Sequence, residues 1–322
     1  MQTPRSLAKD ETDAAALHSP SRREEESRRG LVFQEQVPFF YTRTGASLSM
    51  EGLFRGGHAF LIANGPSLSL LDLVPLKSSW CMTMNNGPRT FRGNANCTVD
   101  DPARFSLSTW MDPTIMKFMP MAQFEKSLWD NRLLKSGVTR EQRWQVSKLR
   151  VGDCPNVVGY RRNEKFHAPR WLFEESINWG NHSKYGGGRS VMLAALRILF
   201  LLGFRNVYLL GVDFMMSQDR RYHFPEQRTD SAVRGNMSTY AKLQHWFEEL
   251  QPHFLKAGFV VYNCNPESGL KAFPHMPYSE ALQASTSMLG DVTGEQTEGM
   301  YQHNPDKTGS AIKEPAVDGR TA

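Results

Sequence analysis

Apolar runs that stop abruptly at small polar residues recur along the middle of the chain. Residues 59–67 read AFLIANGPS, in which a run of strand character ends at Asn64-Gly65-Pro66-Ser67. Short continuous apolar runs are typical of strands that are buried on both faces of a parallel sheet. The pattern predicts strands at HAFLIA (58–63), WCMTM (80–84), NCTVDD (96–101), NVYLLGVDF (206–214) and FVVYNCN (259–265).

Segments with a helical pattern lie between these strands. They predict a short helix after the NGPS turn and helices near 112–127, at 189–203 and at 239–258. The alternation predicts an α/β fold, with a Rossmann-like, mostly parallel sheet and helices on both faces. The most apolar stretch, 191–212, is broken by Arg197 and Gly203, so it predicts a buried helix, a turn and a strand rather than a membrane span.

The two ends of the chain lack this pattern. Residues 1–37 are highly charged and residues 286–322 are rich in Gly, Thr, Asp, Glu and Pro, which is typical of disordered tails. One Rossmann-like domain is therefore predicted over 38–285. Within it, residues 128–187 show no clear pattern and are predicted to form an irregular insertion or a lid.

Charge and cysteine usage narrow the class of protein. The net charge is +5; the first thirty residues contribute nothing and residues 284–322 contribute −3, so the middle carries about +8. That charge suits an anionic ligand, although solvated Lys and Arg side chains are the plain alternative. The four cysteines have no metal-binding or CxxC spacing, and no apolar signal segment begins the chain, so a reducing, cytoplasmic location is expected.

Several common ligand-binding motifs are missing. The sequence has no dinucleotide-binding GxGxxG in the right place, no GxxxxGK[ST] and no GxSxG. The basic residues do not form the compact helix or aromatic-interleaved strands of nucleic-acid modules, so no nucleic-acid partner is expected. The oligomeric state stays open.

The strand ends are the candidate site. In an open α/β sheet, ligands bind outside the carboxyl ends of the strands, where the NGPS, NNGP and DDP segments would gather. In the NGPS turn, Gly65 would let the backbone approach a nucleotide and Ser67 would donate a hydrogen bond to it. The alternative is a stable turn in which Ser67 caps the next helix.

Three segments together resemble two known families. NGPSL after the first strand, an Asn ending the second, and LLGFRNVYLLGVDF are similar to the bacterial sialyltransferases that use CMP-sialic acid. They also resemble the 6-hydroxymethylpterin diphosphokinase-like (MptE-like) domain family. The resemblance covers about 58–102 and 186–275 and includes an Asn-Pro-x-Ser segment after the last strand. It implies a Rossmann-like fold and a nucleotide-binding set of Asn64, Gly65, Ser67, Asn85, Gly188, Arg189 and Ser190.

The candidate catalytic residues are Asp213, Tyr222 and His223. The resemblance aligns Tyr222 with one of two tyrosines that contact the leaving phosphate, whereas Met215 stands at the other. His223 would act as a general base or as a cation on the phosphate. The general-base His of the sialyltransferases has no counterpart, because the nearest position here is Asn236.

A magnesium site is a further candidate. Asp101 and Asp213 would hold Mg²⁺ between their carboxylates and the ligand's phosphates. Asp100 and Asp101 point to opposite sides if the strand continues, so at most one of them faces the site. A turn before Pro102, and a loop cap at Asp213, are the plain alternatives.

The leading interpretation is a nucleotide-dependent transferase. The resemblance implies a glycosyltransferase-like, sialyltransferase-related activity that uses a nucleotide sugar in surface polysaccharide synthesis. The first alternative is a Mg²⁺-dependent, ATP-using diphosphokinase of the 6-hydroxymethylpterin type, which the acidic strand ends favour. The second is a nucleotide-binding accessory protein without catalysis, suggested by the missing His and by Met215.

Overall fold

The computed structural model describes residues 40–128, 149–160, 190–216 and 229–287, together with 289, 292–294, 296 and 298. Contacts divide the chain into two units, Met1–Thr286 and Ser287–Ala322. The second unit contains, in its described residues, a short 3-10 helix at Val292–Gly294. The predicted tail 1–37 lies outside the described residues, as does most of 286–322, so their disorder stays a prediction.

Strands make up the centre of the first unit. In chain order they are Phe40–Tyr41 (β1), Ser47–Leu48 (β2), His58–Ile62 (β3), Cys81–Met84 (β4), Ala95–Cys97 (β5), Met116–Pro120 (β6), Val157–Tyr160 (β7), Asn206–Leu210 (β8) and Val260–Asn263 (β9). In the described part of the chain these nine strands form one sheet of order β2-β1-β7-β6-β5-β4-β3-β8-β9. The strands from β3 to β9 pair in parallel, and β1 runs antiparallel to β2 and β7. The predicted mostly parallel sheet is confirmed.

Helices complete the first unit. The α-helices of its described residues are Leu107–Trp110 (α1), Val191–Leu202 (α2), Asp230–Lys256 (α3) and Tyr278–Thr286 (α4). The 3-10 helices there are Pro66–Leu70, Val74–Ser78, Gly87–Arg89, Pro102–Arg104, Met121–Gln123 and Val151–Asp153.

The alternation of side chains along β3 explains how both faces of the sheet are covered. Ala59 and Leu61 belong to the larger hydrophobic core, which includes most of α2 and the buried side chains of α3 from Leu243 to Phe254. Phe60 and Ile62 point to the opposite face and pack in a second core with Ala281 of α4. Because successive residues of a strand point to opposite faces, a strand with two apolar faces reads as a continuous apolar run. The predicted α/β fold with helices on both faces is confirmed.

The apolar stretch 191–212 folds as predicted, into α2, a turn and β8. Ser190 caps α2 by accepting a hydrogen bond from the Met192 N–H (3.1 Å), and Gly203 ends it in the left-handed conformation (φ 104°). Among the helices that the structure describes, none combines the length and the apolar character needed to cross a membrane.

The helix predicted near 112–127 is wrong. That segment forms β6 and the 3-10 helix Met121–Gln123, and α1 ends before it at Trp110. Pro113 and Pro120 cannot donate helical hydrogen bonds, and the MKFMP strand between them pairs with β5 instead. Sequence periodicity alone did not separate this short buried strand from a helix.

Smaller differences concern the bounds of elements. The short helix after the NGPS turn is a pair of 3-10 helices, each with a proline in its first turn. Helix α3 begins at Asp230 rather than at 239, and two predicted strands end early, at Cys97 and Leu210. The segment 128–187 contributes β7 to the sheet, and most of its remaining residues lie outside the described ones.

The four cysteines, all in described residues, form no disulfide and are buried. Burial raises the pKa of the Cys81 and Cys264 thiols to about 12 and that of Cys154 to about 11. They behave as small apolar side chains, as expected from their positions in and beside strands.

Candidate nucleotide site at the carboxyl edge of the sheet

The polar strand ends gather along one edge because their strands are parallel. The chain crosses from β3 to its neighbour β4 and later returns to β8 on the other side of β3. The sheet therefore has its topological switch point between β3 and β8, the place where open α/β sheets bind ligands. Two turns define this edge: the first turn, residues 64–67, follows β3, and the second turn, residues 85–88, follows β4.

Close approach of two backbones shapes the first turn. The Gly65 N–H donates to the Gly211 carbonyl (2.8 Å). A Cβ added to Gly65 would lie 2.4 Å from that carbonyl oxygen and 2.6 Å from Oδ2 of Asp213. The Gly65 backbone is extended (φ −70°, ψ 154°), so glycine is required here for space and not for a left-handed conformation.

The Asp213 carboxylate connects three strand ends. Its Oδ2 accepts from the Ser67 backbone N–H (2.9 Å), and its Oδ1 accepts from the Ser67 hydroxyl and from the Asn265 side-chain amide (2.9 Å). Asp213 follows β8, Ser67 follows β3 and Asn265 follows β9. With three donors around it, the carboxylate is well satisfied although the residue is only 7% exposed.

The segment after β9 holds the tail of β8 from its other side. The Gly269 N–H donates to the Asp213 carbonyl (2.7 Å), and the Ser268 hydroxyl donates to the Val212 carbonyl (2.6 Å). Asn265 and Ser268 are the Asn and Ser of the Asn-Pro-x-Ser segment. Sequence reasoning used that segment as a family signal but did not include its residues in the site.

An asparagine begins each of the first and second turns. The Asn64 amide nitrogen donates to the Met84 carbonyl (3.1 Å), directly before Asn85, while Asn64 Oδ1 is buried without a hydrogen-bond partner. Asn85 has a left-handed backbone (φ 53°), which Asn tolerates better than most residues. Its Oδ1 accepts from the Thr98 hydroxyl (3.4 Å). Neighbouring strand ends thus carry one buried acceptor without a partner among the described residues, on Asn64, and one partly buried side-chain amide, on Asn85.

A buried polar row lies beneath the second turn. Thr83, Asn96 and Lys117 are register partners on β4, β5 and β6, and each is at most 2% exposed. The Thr83 hydroxyl donates to Asn96 Oδ1 (2.9 Å), and the Asn96 amide donates to the Asn85 carbonyl (3.3 Å). Lys117 Nζ donates to the Asp112 carbonyl, and burial lowers its pKa. The sequence analysis did not include these residues in the site. A polar residue inside each apolar run could have indicated them.

Ser190 lies at the same edge. Helix α2 leads into β8 and packs against β4 and β5. A crossover helix runs opposite to its strands, so its amino end, with Ser190, faces the carboxyl ends of the strands. The Ser190 hydroxyl is engaged as the helix cap. The predicted partners Gly188 and Arg189 lie outside the described residues, as do Tyr222 and His223, so their roles stay predictions.

The described acidic residues do not fit the predicted magnesium site. Asp101 pairs with Lys126 (Nζ–Oδ2, 3.3 Å), and its strand β5 is separated from β8 by β4 and β3, roughly 14 Å at the usual strand spacing. A cation at Asp213 would have to displace Ser67 or Asn265. Among the residues that the structure describes, no three His, Cys, Asp or Glu side chains are placed to hold one metal ion.

Comparison with known proteins gives structural likenesses only. No family model matches the chain, and no curated protein sequence matches it. One similar structure is the sialyltransferase CstII from Campylobacter jejuni in complex with a substrate analogue, cytidine-5'-monophosphate (14% identity, TM-score 0.36, 72% of this chain and 98% of that one). A mammalian sialyltransferase is similar over 69% of this chain and 76% of that one (15% identity, TM-score 0.32). The MAf glycosyltransferase from Magnetospirillum magneticum AMB-1 is similar over 79% of this chain and 40% of that one (12% identity, TM-score 0.36). At TM-scores below 0.5 these likenesses carry no functional argument.

Proposed function

We propose that this chain is a nucleotide-dependent transferase that binds its nucleotide at the carboxyl edge of β3 and β4, and that the reaction is glycosyl transfer from a nucleotide sugar. The observation that carries the proposal is the Asn64 side chain at that edge, whose Oδ1 is buried and has no hydrogen-bond partner among the described residues. Asn85, which follows the neighbouring strand, is only partly buried and accepts at its Oδ1 from Thr98. Buried polar atoms are rarely left unpaired, so a ligand that donates to Asn64 Oδ1 is the simplest explanation.

The geometry supports a polar ligand with a donor and an acceptor close together. A nucleobase edge or a ribose hydroxyl offers both within the distance between two neighbouring strands. The positive charge of the middle of the chain, about +8, suits the phosphates of such a ligand. Binding at this edge would use side-chain amides and would not require a metal ion held by the protein.

In this proposal the described residues bind and orient the nucleotide, and residues outside them carry out the chemical step. In glycosyl transfer the acceptor hydroxyl loses its proton to a base, and the leaving phosphate is stabilised by a donor or a cation. His223, Tyr222 and Arg189 remain our candidates for these roles. We also propose that the reaction belongs to surface polysaccharide synthesis, in which the acceptor would be a sugar of the growing polysaccharide.

The diphosphokinase alternative would bring the chain closer to the 6-hydroxymethylpterin (MptE-like) family. It needs ATP and Mg²⁺, and Asp101 and Asp213 would have to hold the metal. Both carboxylates already have partners, so no observation favours this alternative over glycosyl transfer.

The test is the melting temperature of the full chain with CMP, CDP, UDP, GDP and ATP, each with EDTA and with Mg²⁺. A ligand that binds only the native state raises the melting temperature by mass action. We expect a metal-independent rise with a pyrimidine nucleotide, followed by release of that nucleotide from its sugar donor when acceptors are supplied. A rise with ATP that requires Mg²⁺ would establish the diphosphokinase instead. Binding without turnover would favour the accessory protein, and no rise with any nucleotide would overturn the proposal.

A further inference from the structure

We infer that Asp213 and Asn265 are positioning residues, which hold the first turn through Ser67 so that Asn64 is oriented toward the nucleotide. We call the three side chains of Ser67, Asp213 and Asn265 the clasp. The inference rests on the proposed function, because it assigns these residues to the same site. It gives Asp213 a different role from the catalytic and metal-binding ones that the sequence predicts, and it adds Asn265, which no sequence pattern placed in the site.

The hydrogen bonds of the clasp occupy most of the acceptor positions of the Asp213 carboxylate. A carboxylate has about four acceptor positions, and three are occupied by Ser67 and Asn265. The remaining side of Oδ2 faces Gly65, where an added Cβ would lie only 2.6 Å away. Neither a substrate hydroxyl nor a cation can reach the carboxylate without breaking the clasp, so Asp213 acts on the ligand through the turn.

The clasp connects a turn without regular backbone pairing to the segment after β8, which is itself held by hydrogen bonds. Val212 and Asp213 are held by backbone and hydroxyl donors from Ser268 and Gly269 on the side away from the turn. On the near side, Asp213 receives both donors of Ser67. Asn64 lies between this anchor and the end of β3, and among the described residues its side chain has a single hydrogen bond, to the Met84 carbonyl.

The consequence for binding is entropic. If the clasp is removed, residues 64–67 sample several conformations, and only the fraction with Asn64 correctly oriented binds nucleotide. Affinity then falls in proportion to that fraction. A hydrogen bond to a charged group contributes about as much as a tenfold change in an equilibrium constant, or somewhat more.

The experiment measures the dissociation constant of CMP by calorimetry on the full chain, with EDTA and with Mg²⁺. The variants are Asp213→Asn, Asn265→Ala and Ser67→Ala, and the matched control is Ser69→Ala. The Ser69 hydroxyl lies in the same 3-10 helix but donates to the Pro66 carbonyl and not to Asp213. We expect about a tenfold loss of affinity for each clasp variant, equal with and without Mg²⁺, and an unchanged value for Ser69→Ala.

A double variant, Asp213→Asn with Asn265→Asp, separates positioning from simple stability. It exchanges donor and acceptor between the two side chains and keeps an oxygen on residue 213 for the Ser67 N–H. We expect it to recover most of the affinity that Asp213→Asn loses. Hydrogen exchange of the peptide that spans residues 63–68 should follow the same order, fast in Asp213→Asn and slow again in the double variant.

The outcomes that overturn the inference are specific. Unchanged CMP affinity in folded clasp variants would reduce the clasp to a structural role. A loss that appears only with Mg²⁺, and that the double variant does not recover, would make Asp213 a metal ligand. If wild-type protein binds UDP or CDP but no CMP, the same comparison is made with that nucleotide; if it binds none of the five nucleotides, the proposed function fails, and the exchange data alone then test whether the clasp holds the turn. If Asp213→Asn does not fold, Asn265→Ala and Ser67→Ala still carry the comparison.

Discussion

The first and second turns are built from the same residue types and are held by different physical means. The first, Asn64-Gly65-Pro66-Ser67, is extended at its glycine and is fixed by a carboxylate that arrives from β8. The second, Asn85-Asn86-Gly87-Pro88, turns through a left-handed asparagine and is held by the side chains of Asn96 in β5 and of Thr98 directly after it. Similar sequences at two strand ends thus predict that both turns lie at the same edge of the sheet. They do not predict which interactions hold each turn in place.

The comparison shows what each turn cannot tolerate. The first turn depends on empty space, because the Gly211 carbonyl and the Asp213 carboxylate occupy the position of a Gly65 Cβ. The second turn depends on polar contacts, because the buried Asn96 pairs with its backbone carbonyl. Added volume at Gly65 should therefore open the first turn, and loss of the Asn96 amide should loosen the second. The contrast is one of these two positions, because Ser67 also donates to Asp213 in the first turn and a Cβ added to Gly87 in the second would lie 2.8 Å from Thr83 Cβ.

The largest effect is expected from Gly65→Ala. The new Cβ would lie 2.4 Å from a backbone oxygen, so the β3 and β8 ends must separate and the Ser67 bonds to Asp213 lengthen. We expect the free energy of unfolding to fall by about 3 kcal/mol, as in other overpacked sites, and CMP binding to be lost. Urea unfolding followed by fluorescence measures the first effect, and calorimetry measures the second.

Gly235→Ala is the matched control for that substitution. Gly235 lies in α3 with nothing within 4 Å of its added Cβ and without a positive φ. Alanine should stabilise the helix there by about 0.5–1 kcal/mol, so the two variants are expected to differ in sign. Equal stability of the two variants would contradict the close packing of Gly65.

A smaller loss is expected from Asn96→Ala, which removes the support of the second turn. The Asn85 carbonyl loses its amide donor, the Thr83 hydroxyl loses one acceptor, and a small cavity remains. We expect about 2 kcal/mol of destabilisation together with weaker CMP binding.

Asn94→Ala provides the control for Asn96→Ala. The Asn94 side chain accepts from the Cys81 N–H (2.8 Å) at the amino end of β4, away from the carboxyl edge. Its loss should lower the urea midpoint but leave the CMP dissociation constant unchanged. If both variants weaken CMP binding equally, the effect of Asn96 is one of general stability and the proposed support of Asn85 is wrong.

Asn85 itself allows backbone and side chain to be tested separately. Glycine adopts the left-handed conformation without strain, so Asn85→Gly should change stability by only a few tenths of a kcal/mol, whereas Asn85→Ala should lose about 1 kcal/mol. Both substitutions remove the amide nitrogen, and both should weaken CMP binding by about tenfold. A weaker affinity in Asn85→Ala than in Asn85→Gly would mean that turn geometry, and not the amide, governs binding.

The sequence predicts the parallel strands well because each is an uninterrupted apolar run, as in His58–Ile62 and Asn206–Leu210. It fails at Met116–Pro120, where a short strand between prolines has the composition of a helix. The failure is local, since periodicity needs more residues than this strand contains.

The sequence predicts which edge of the sheet carries the candidate site, but it does not predict the contacts between the site residues. Asn64, Gly65, Ser67, Asn85 and Asp213 do lie at strand ends on one edge, as their positions after apolar runs suggest. The pairing of Ser67 with Asp213 joins residues 146 positions apart, and no local pattern encodes it. Long-range hydrogen bonds of this kind follow from the order of strands, which the sequence alone left undetermined.

A similarly small effect on stability, and the sharpest test of the ligand, is expected from Asn64→Ala. The substitution removes one hydrogen bond, to the Met84 carbonyl, and at the same time removes the buried Oδ1 that has no partner. Because the two contributions oppose each other, we expect the free energy of unfolding to change by no more than about 0.5 kcal/mol. CMP affinity should nevertheless fall at least about fivefold, since the acceptor offered to the ligand is gone.

Asn206→Ala, at the amino end of β8, is the control and should leave both quantities unchanged. Unchanged affinity in Asn64→Ala alongside a loss in Asn85→Gly would show that the second turn alone contacts the nucleotide, and that the unpaired oxygen of the first turn has another purpose.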